Sequence, residues 1–257
     1  MKYFNLSKKN VFVVGGSGLI GHTLCKVLTD LEGNVFNLDI LDRFNKNVKF
    51  IKFDASKRLQ IEKQLNLIFK KYGTPDVLVN CSYPVSKDWR DGSFLKIKQK
   101  TIYENLNLQL NSYIWIARIF AEEMRKKKIK GSIIQLGSHY GVIGQSSNTY
   151  IGTDITENMV YNAIKGGVIS NVKQMCSHYG KFGIRINCVC PGGIEGHVKG
   201  MKKGQSKKFI KNYSQRTPLG RLAKTSEIAP AIAFLASNDS SYITGITLMI
   251  DGGWTAT

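Results

Sequence analysis

The sequence lacks any hydrophobic run close to the roughly 20 apolar residues that a helix needs to cross a bilayer. Its first residues also lack the uninterrupted apolar region of a secretory signal. Five cysteines give an odd count and include no Cys-x-x-Cys pair, so neither a disulfide framework nor a zinc site is suggested. We therefore expect a protein of the reducing cytoplasm that neither spans a membrane nor binds a metal.

Acidic residues are also scarce, with 18 Asp plus Glu against 37 Lys plus Arg and a net charge of +19. Such a charge attracts nucleic acid, anionic membranes or phosphorylated substrates. The excess is mostly lysine in a chain also rich in asparagine and isoleucine, which a simple coat of solvated lysines explains equally well. The charge therefore leaves a nucleic-acid-binding role open without assigning one.

The chain has 257 residues, 42% of them hydrophobic, which suits one large α/β domain better than two small ones. Predicted strands and helices alternate along it without an internal repeat or linker. The predicted strands span 10–14, 35–39, 48–53, 76–80, 132–136, 184–189 and 245–250, and the longest predicted helix spans 101–128. This alternation predicts a single Rossmann-like domain over 1–257, a doubly wound parallel sheet with helices on both faces.

The first strand, 10–14, runs straight into a turn that contains Gly15, Gly18 and Gly21, and a helical pattern follows. Glycines at such a turn let a dinucleotide pyrophosphate approach the backbone, and the helix N-terminus offers it free N–H groups. The second strand ends at Asp39, where a carboxylate can accept hydrogen bonds from ribose hydroxyls and repel a 2′-phosphate. The pattern favours NAD over NADP.

Tyr161 and Lys165 are four residues apart in a helical stretch, so their side chains share one helix face. A buried ammonium at this spacing is expected to lower the pKa of the phenol. Ser138 follows the 132–136 strand, at the end where α/β sheets present side chains to ligands. Tyr150 is the rival tyrosine, but Asp154, not lysine, stands four residues beyond it.

Two segments are expected to shape the substrate site. Residues 81–100 form a loop after the fourth strand, and residues 194–216 form a basic insertion whose single acid is Glu195. We expect this insertion to cover the crevice as a lid. Residues given no role in the chemistry are Cys188 and Cys190, expected in the core, and the histidines His22, His139, His178 and His197, expected to be structural or solvated.

Together these features resemble the short-chain dehydrogenase/reductase family, and the run TPLGRLAKTSEIAPAIAFLASNDSSYITGITLMIDGGWTA at 217–256 is very similar to its C-terminal part. The resemblance covers nearly the whole chain. It implies a Rossmann-like fold, a nicotinamide cofactor and hydride transfer at a carbinol or carbonyl carbon. It also implies that Ser138, Tyr161 and Lys165 are the catalytic residues.

By the same resemblance, the pyrophosphate of NAD(H) lies at the glycine turn, the adenosine ribose on Asp39 and the adenine beside Asp54. The backbone of 191–194 orients the carboxamide, and Lys165 holds the nicotinamide ribose. The implied cofactor-binding residues are Gly15, Ser17, Gly18, Leu19, Ile20, Asp39, Asp54, Ala55, Asn80, Cys81, Ser82, Tyr161, Lys165, Pro191, Gly192 and Ile194.

The sequence departs from the family pattern at several points. Leu19 stands where this branch of the family usually has glycine, so the turn has the spacing of the extended, sugar-nucleotide branch. The segment after the fourth strand keeps the first asparagine, Asn80, but not the usual glycine. In the long helix, Gln109 stands where the family has an asparagine that supports a proton-relay water, and Asn107 and Asn111 are alternatives.

The gap between Ser138 and Tyr161 is longer than usual in the family. This gap, the Ser82-Tyr-Pro segment and the Pro191-Gly-Gly-Ile turn are similar to a subgroup found with bacterial surface-polysaccharide and flagellin-glycan genes. A sugar or nucleotide-sugar substrate is implied, with phosphates that would suit the basic lid. The resemblance also implies a homotetramer or homodimer, because the family pairs the long helix and the Tyr/Lys helix across two-fold axes.

Two alternatives remain open at this point. The extended glycine spacing also suits an epimerase or dehydratase that keeps NAD bound and acts on a nucleotide sugar. The net charge of +19 also suits a non-catalytic nucleotide- or nucleic-acid-binding protein on the same fold.

Overall fold

A computed structural model describes residues 3–44, 48–153, 155–196 and 204–257. Its centre is a sheet of seven strands in the order β3-β2-β1-β4-β5-β6-β7, with every neighbouring pair parallel. The strands are β1 (Asn10–Val14), β2 (Asn34–Asp39), β3 (Lys49–Lys52), β4 (Val77–Asn80), β5 (Ser132–Leu136), β6 (Arg185–Pro191) and β7 (Thr247–Ile250). The predicted doubly wound parallel sheet is confirmed.

Helices cover both faces of this sheet, as the alternating pattern predicted. They are α1 (Leu19–Asp30), α2 (Ile61–Tyr72), α3 (Gln99–Asn105), α4 (Ser112–Lys126), α5 (Tyr161–Tyr179), α6 (Lys207–Ser214) and α7 (Thr225–Ala236). No helix in the described ranges is long and apolar enough to cross a membrane.

Each face of the sheet has its own apolar core. On one face, fully buried Phe12 and Phe120 pack with α2, α4 and α5. On the other, Leu24 of α1 and Ile232 of α7 are fully buried and belong to one cluster. Because both faces of the strands are covered, the strand residues form nearly continuous apolar runs rather than an alternating pattern.

The long helix predicted over 101–128 was wrong in one respect, since a π-helical segment, Leu106–Asn111, separates α3 from α4. Ser112 supplies a local reason: its hydroxyl donates to the Leu108 carbonyl at 2.6 Å and lies 3.2 Å from the Gln109 carbonyl. A side-chain hydroxyl that bonds back into the preceding turn competes with the regular backbone ladder. Such π segments are frequent at functional sites.

Candidate active site

The carboxyl ends of the central strands meet at one edge of the sheet. β1 and β4 are neighbours there, although β2 and β3 intervene in sequence, so the crevice between β1 and β4 is the topological switch point. Asn80 ends β4, Ser138 follows β5, and Pro191 ends β6. The fold therefore brings the predicted cofactor and catalytic segments to one edge.

Ser138, Tyr161 and Lys165 lie together at this edge. Tyr161 is the first residue of α5, and Lys165 lies one turn later. The Ser138 side chain lies beside the Tyr161 phenol. The buried Lys165 ammonium lies 5.8 Å from the centre of the Tyr161 ring and donates to the Leu136 carbonyl oxygen at 2.8 Å. The structure therefore brings the three predicted catalytic side chains together at one edge of the sheet.

The expected lowering of the Tyr161 pKa by Lys165 is wrong for this structure. Burial raises the pKa of Tyr161 to about 12, and the hydrogen bond with Ser138 offsets only part of the rise. The Lys165 ammonium is directed at the Leu136 carbonyl instead of the phenol oxygen, and burial lowers its own pKa to about 8. Near neutral pH the phenol is therefore protonated, which suits a proton donor to a carbonyl oxygen.

Asn158 holds the start of the catalytic helix, a role that the sequence analysis missed. Its side-chain oxygen accepts hydrogen bonds from the backbone N–H groups of Val160 and Tyr161, at 3.1 and 3.2 Å. Its amide nitrogen donates to the carbonyl of Trp89 at 3.1 Å. Asparagine shortly before a helix is a recognisable capping signal, but the bond to Trp89 depends on the tertiary fold. Asn158 thus links Tyr161 to the 81–100 loop.

Two aromatic rings lie beside the Tyr161 phenol. Tyr83 and Trp89 lie edge-on to Tyr161, with ring centroids 6.4 and 6.2 Å from its ring, and edge-on to each other at 6.1 Å. We call Tyr83 and Trp89 the aromatic wall. The sequence placed them in a substrate loop but did not predict that they contact Tyr161.

A polar network fixes the loop that carries the aromatic wall. The Asp88 carboxylate accepts hydrogen bonds from the hydroxyls of Ser86, at 2.6 Å, and Thr101, and these bonds lower the pKa of Asp88. Asn105 in turn donates to the Ser86 hydroxyl at 2.7 Å. Hydrogen bonds from α3 therefore hold the loop in place.

Tyr150, the rival tyrosine, lies in a different network. Its hydroxyl accepts from the Gln145 amide at 2.8 Å and donates to the Tyr140 hydroxyl at 3.5 Å. Burial raises the pKa of Tyr150. Asp154, four residues on, lies outside the described residues.

The glycine turn forms a cradle that fits a pyrophosphate. Gly15 has a φ of +80°, and a Cβ there would lie 2.7 Å from the Ser82 backbone. In the described part of the chain no side chain caps α1, which leaves the N–H groups of Leu19 and Ile20 facing the space beyond the turn. Close backbone approach and a free helix N-terminus are what a dinucleotide phosphate needs.

Asp39 closes one side of this cradle. One carboxylate oxygen accepts from the Ser17 N–H at 3.0 Å, and the other accepts from the Ile40 N–H at 2.7 Å. The Ser17 hydroxyl donates to the Leu41 carbonyl at 2.6 Å. The carboxylate is therefore fixed against the turn, in the place expected for ribose binding.

The other cofactor residues lie along the same strand ends. Asp54 accepts from the Ser56 hydroxyl at 2.6 Å, and Ala55 is buried beside it. Asn80 accepts from the Ser82 hydroxyl at 2.8 Å, while the buried Asn80 side-chain nitrogen has no partner within the described ranges. The remaining predicted contacts are Cys81, whose N–H donates to the Val14 carbonyl, Gly192, whose N–H donates to the Ile250 carbonyl, and Ile194, which forms a bridge with Ala223.

Gln109 is the inward-facing member of the three relay candidates. It is 2% exposed in the π-helical segment, and neither polar atom of its side chain has a partner in the part of the chain that the structure describes. Asn107 instead donates to the Tyr103 carbonyl, and Asn111 donates to Asn107 on the exposed side. Of the three relay candidates, Gln109 therefore has free hydrogen-bonding capacity in the described part of the chain.

His139 has the structural role that the sequence predicted. Its Nδ1 lies 3.0 Å from the Pro191 carbonyl oxygen, which can only accept, so this nitrogen carries the proton. Its Nε2 then accepts from the Tyr213 hydroxyl, 3.3 Å away. Among the other residues given no chemistry, Cys188 and Cys190 are buried as predicted, His22 stacks on Phe44, His178 packs against Tyr179, and His197 lies outside the described residues.

The basic insertion includes α6, which packs against His139 and the 191–194 turn. Tyr213 of α6 is buried, with its ring 4.4 Å from Trp254 and its hydroxyl on His139. A Cβ on Gly193 would lie 2.6 Å from the Tyr213 ring, so the 191–194 turn supports the helix from below. Lys199, Lys202 and Lys203 of the predicted lid lie outside the described residues.

Comparison with known proteins identifies the family. A family model described as enoyl-(acyl carrier protein) reductase matches residues 27–255. The chain is 28% identical to post-translational flagellin modification protein A of Campylobacter coli, over 97% of this chain and 99% of that protein. It is 30% identical to the 3-oxoacyl-(acyl-carrier-protein) reductase FabG of Chlamydia muridarum, over 96% of this chain and 98% of that protein.

A solved structure gives the same result. The short-chain dehydrogenase of Leptospira borgpetersenii with bound NAD+ is 30% identical, with a TM-score of 0.87, over 99% of this chain and 96% of that one. The chain belongs to the short-chain dehydrogenase/reductase family and is an NAD(P)-dependent oxidoreductase.

Proposed function

We propose that this oxidoreductase uses NAD(H) to interconvert a carbinol and a carbonyl group of a sugar or nucleotide sugar in surface-glycan biosynthesis. The observation that carries the proposal is the arrangement of Ser138, Tyr161 and Lys165 at one edge of the sheet, with Ser138 beside the Tyr161 phenol and the buried ammonium of Lys165 5.8 Å from the centre of the Tyr161 ring. These three side chains lie at the strand ends where the glycine cradle would hold a dinucleotide.

In this proposal the nicotinamide supplies or accepts the hydride. Tyr161 donates the proton to the carbonyl oxygen during reduction and takes it back during oxidation. Ser138 donates a hydrogen bond to the same oxygen and orients it. Lys165 holds the ribose hydroxyls, and the amide of Gln109 holds a water molecule that passes protons to Lys165.

Two observations support a sugar substrate. The aromatic wall presents apolar ring surface beside Tyr161, on which the C–H face of a sugar ring can pack. One relative over nearly the full length is a flagellin modification protein. A panel of nucleotide sugars and sugar phosphates, followed by NADH absorbance, tests this assignment. If the protein turns over none of these compounds, the result counts against a sugar substrate.

The second candidate is reduction of a 3-oxoacyl thioester, which the 30% identical FabG relative favours. Acetoacetyl thioesters can be tested in the same assay. Efficient NADH oxidation with these thioesters, together with no NADH oxidation with sugars, would support 3-oxoacyl reduction over sugar reduction. An epimerase or dehydratase would instead change the sugar with no net change in NADH. Product analysis by mass spectrometry and NMR separates these outcomes.

We expect NADH to bind roughly 10-fold more tightly than NADPH, because Asp39 lies at the glycine turn and repels a 2′-phosphate. Two like charges about 4 Å apart near a protein surface repel by up to ~4 kcal/mol. Asp39→Ala and Asp39→Asn should both narrow the difference, and the asparagine keeps an acceptor for the Ser17 N–H. Fluorescence titration of the two cofactors measures the ratio.

Arg43 and Lys52 are the basic residues that would hold a 2′-phosphate if the protein preferred NADPH. Arg43 lines a cavity of about 280 Å³ together with His22 and Lys26, so it is the more plausible holder of a 2′-phosphate. Tighter binding of NADPH than of NADH by the unmodified protein would refute the preference for NAD, and loss of that binding in Arg43→Ala would identify the residue responsible.

We also propose a homotetramer, with a homodimer as the smaller alternative. Tyr103 on α3 is 67% exposed in one chain, and all four residues of the edge strand β7 are partly exposed. Light scattering coupled to size exclusion should therefore give four, or two, times the mass of one chain. A single-chain mass at working concentration would contradict this prediction.

A further inference from the structure

A second cavity lies beside the site, between the 146–148 loop and the end of α6. Its volume is about 310 Å³, and it is lined by Ser146, Asn148, Asn212, Gln215 and Arg216. Apart from the guanidinium, the lining side chains are amides and one hydroxyl, all of which can donate hydrogen bonds. We call this cavity the Arg216 pocket.

The positive charge of the pocket comes from the Arg216 guanidinium. Within the described residues, no carboxylate forms an ion pair with Arg216, and its guanidinium lies 5.0 Å from the centre of the Trp254 ring. Stacking on an aromatic face fixes the plane of a guanidinium and leaves its edge free for a bidentate oxyanion.

The segments that form the pocket carry no acid in the ranges 139–153 and 204–220, whereas Lys207, Lys208 and Lys211 add positive charge nearby. Asp154, the next residue after the first range, lies outside the described residues. A concave surface of one sign of charge concentrates ions of the opposite sign. The pocket is therefore suited to an anion rather than to a cation or an apolar group.

The pocket is connected to the catalytic site through Tyr150 and Tyr140. The Asn212 amide lies 3.3 Å from the Thr149 carbonyl oxygen and 3.0 Å from that of Ile151, which joins α6 to the loop on both sides of Tyr150. The Tyr150 hydroxyl donates to Tyr140, whose N–H donates to the Ser138 hydroxyl oxygen. A chain of hydrogen-bonded residues thus joins the lining of the pocket to Ser138 and places the pocket on the Tyr140 side of the site.

We propose that the Arg216 pocket binds an oxyanion, a phosphate or a carboxylate, at the end of the substrate remote from the reacting carbon. This inference rests on the proposed function, since it names the charged end of the same substrate. The guanidinium forms the bidentate contact, and Asn148 and Gln215 donate to the remaining oxygens.

Isothermal titration of the NADH-saturated protein tests the proposal at fixed ionic strength. The probes are inorganic phosphate, glucose 6-phosphate, glucuronate and neutral glucose. Glucose 6-phosphate or glucuronate should bind roughly 10-fold more tightly than glucose, as expected for charge-assisted hydrogen bonds. The phosphate and carboxylate arms decide which oxyanion the pocket prefers.

The variants locate the binding site. Arg216→Gln should remove the preference for the anionic probes, and Arg216→Lys should restore only part of it because lysine lacks the planar fork. Asn148 is exposed, and Asn148→Ala should weaken binding of the anionic probes without changing binding of glucose. Lys63→Gln removes one exposed positive charge on α2 and serves as the matched control, with no expected change. Unchanged NADH affinity reports that each variant is folded.

Equal binding of glucose and the anionic probes would overturn the proposal, as would an equal loss in Lys63→Gln and Arg216→Gln. The failure of the proposed function looks different. If the anion binds in an Arg216-dependent manner but no sugar is oxidised or reduced, the anion pocket is supported and the proposed function is refuted. If sugars turn over with the same KM in Arg216→Gln, the function stands and the pocket falls.

Discussion

Replacing Tyr161 with phenylalanine is expected to lower kcat by roughly 10²–10⁴, the usual loss for a missing general acid–base. The substitution keeps the ring that packs against Tyr83 and Trp89 and removes only the phenol oxygen beside Ser138. NADH affinity and thermal stability should therefore change little. Initial rates on an identified substrate and titration with NADH measure the two effects separately.

Tyr150→Phe is the matched control for this result. Tyr150 lies in the substrate loop, and its hydroxyl bonds to Gln145 and Tyr140 rather than to Ser138. Its loss should mainly raise KM. Near-normal kcat in Tyr161→Phe together with a large loss of kcat in Tyr150→Phe would show that the catalytic assignment is wrong.

The elements that the sequence predicted best are those whose pattern depends on local features alone. β1 and β5 begin and end at the predicted residues, because a short apolar run bounded by glycine and polar residues encodes its own limits. β7 begins at Thr247 rather than at Gly245, whose φ of +75° is outside the range of a strand. β6 extends to Pro191 because Pro191 pairs with Ile250 of β7.

Site residues that are recognised by their spacing could be predicted from the sequence. Properties that depend on the surrounding residues could not. The turn at Gly15 and the Tyr161–Lys165 pair can be found by counting. The pKa of Tyr161 could not be predicted from its spacing to Lys165, because the direction depends on burial and on the Leu136 carbonyl that takes the ammonium. Leu136 is not a sequence neighbour of Tyr161, so this contact cannot be found by counting residues.

The aromatic wall and the Arg216 pocket were missed for a related reason. Each brings together residues from loops that are distant in sequence, such as Trp89 with Asn158 and Thr149 with Asn212. Loop residues have no periodicity that would reveal such contacts. The basic composition of the 194–216 insertion predicted a positive lid, but not which of its charges would lie in a cavity.

Replacing Lys165 with methionine is expected to stabilise the cofactor-free protein at pH 7 by about 2 kcal/mol while abolishing most of its activity. Burial lowers the pKa of Lys165 from 10.5 to about 8. Since one pKa unit corresponds to about 1.4 kcal/mol, keeping this ammonium charged costs the folded state about 3 kcal/mol. Loss of the hydrogen bond to the Leu136 carbonyl offsets about 1 kcal/mol of the gain.

The pH dependence separates this account from a general effect of removing a charge. Below pH 8 Lys165 is protonated in both the folded and the unfolded chain, so the full cost is present. Between about 8 and 10.5 the folded protein loses the proton first, and its stability rises with pH because the unfolded state binds more protons. The advantage of about 2 kcal/mol that the variant has at pH 7 should therefore disappear by pH 10, because the unmodified protein gains about 2.5 kcal/mol of stability over this range. Urea unfolding at pH 7 and pH 10 can measure this. If the stability difference between the two proteins is independent of pH, or if the variant is less stable at pH 7, then the charge on buried Lys165 does not destabilise the folded state.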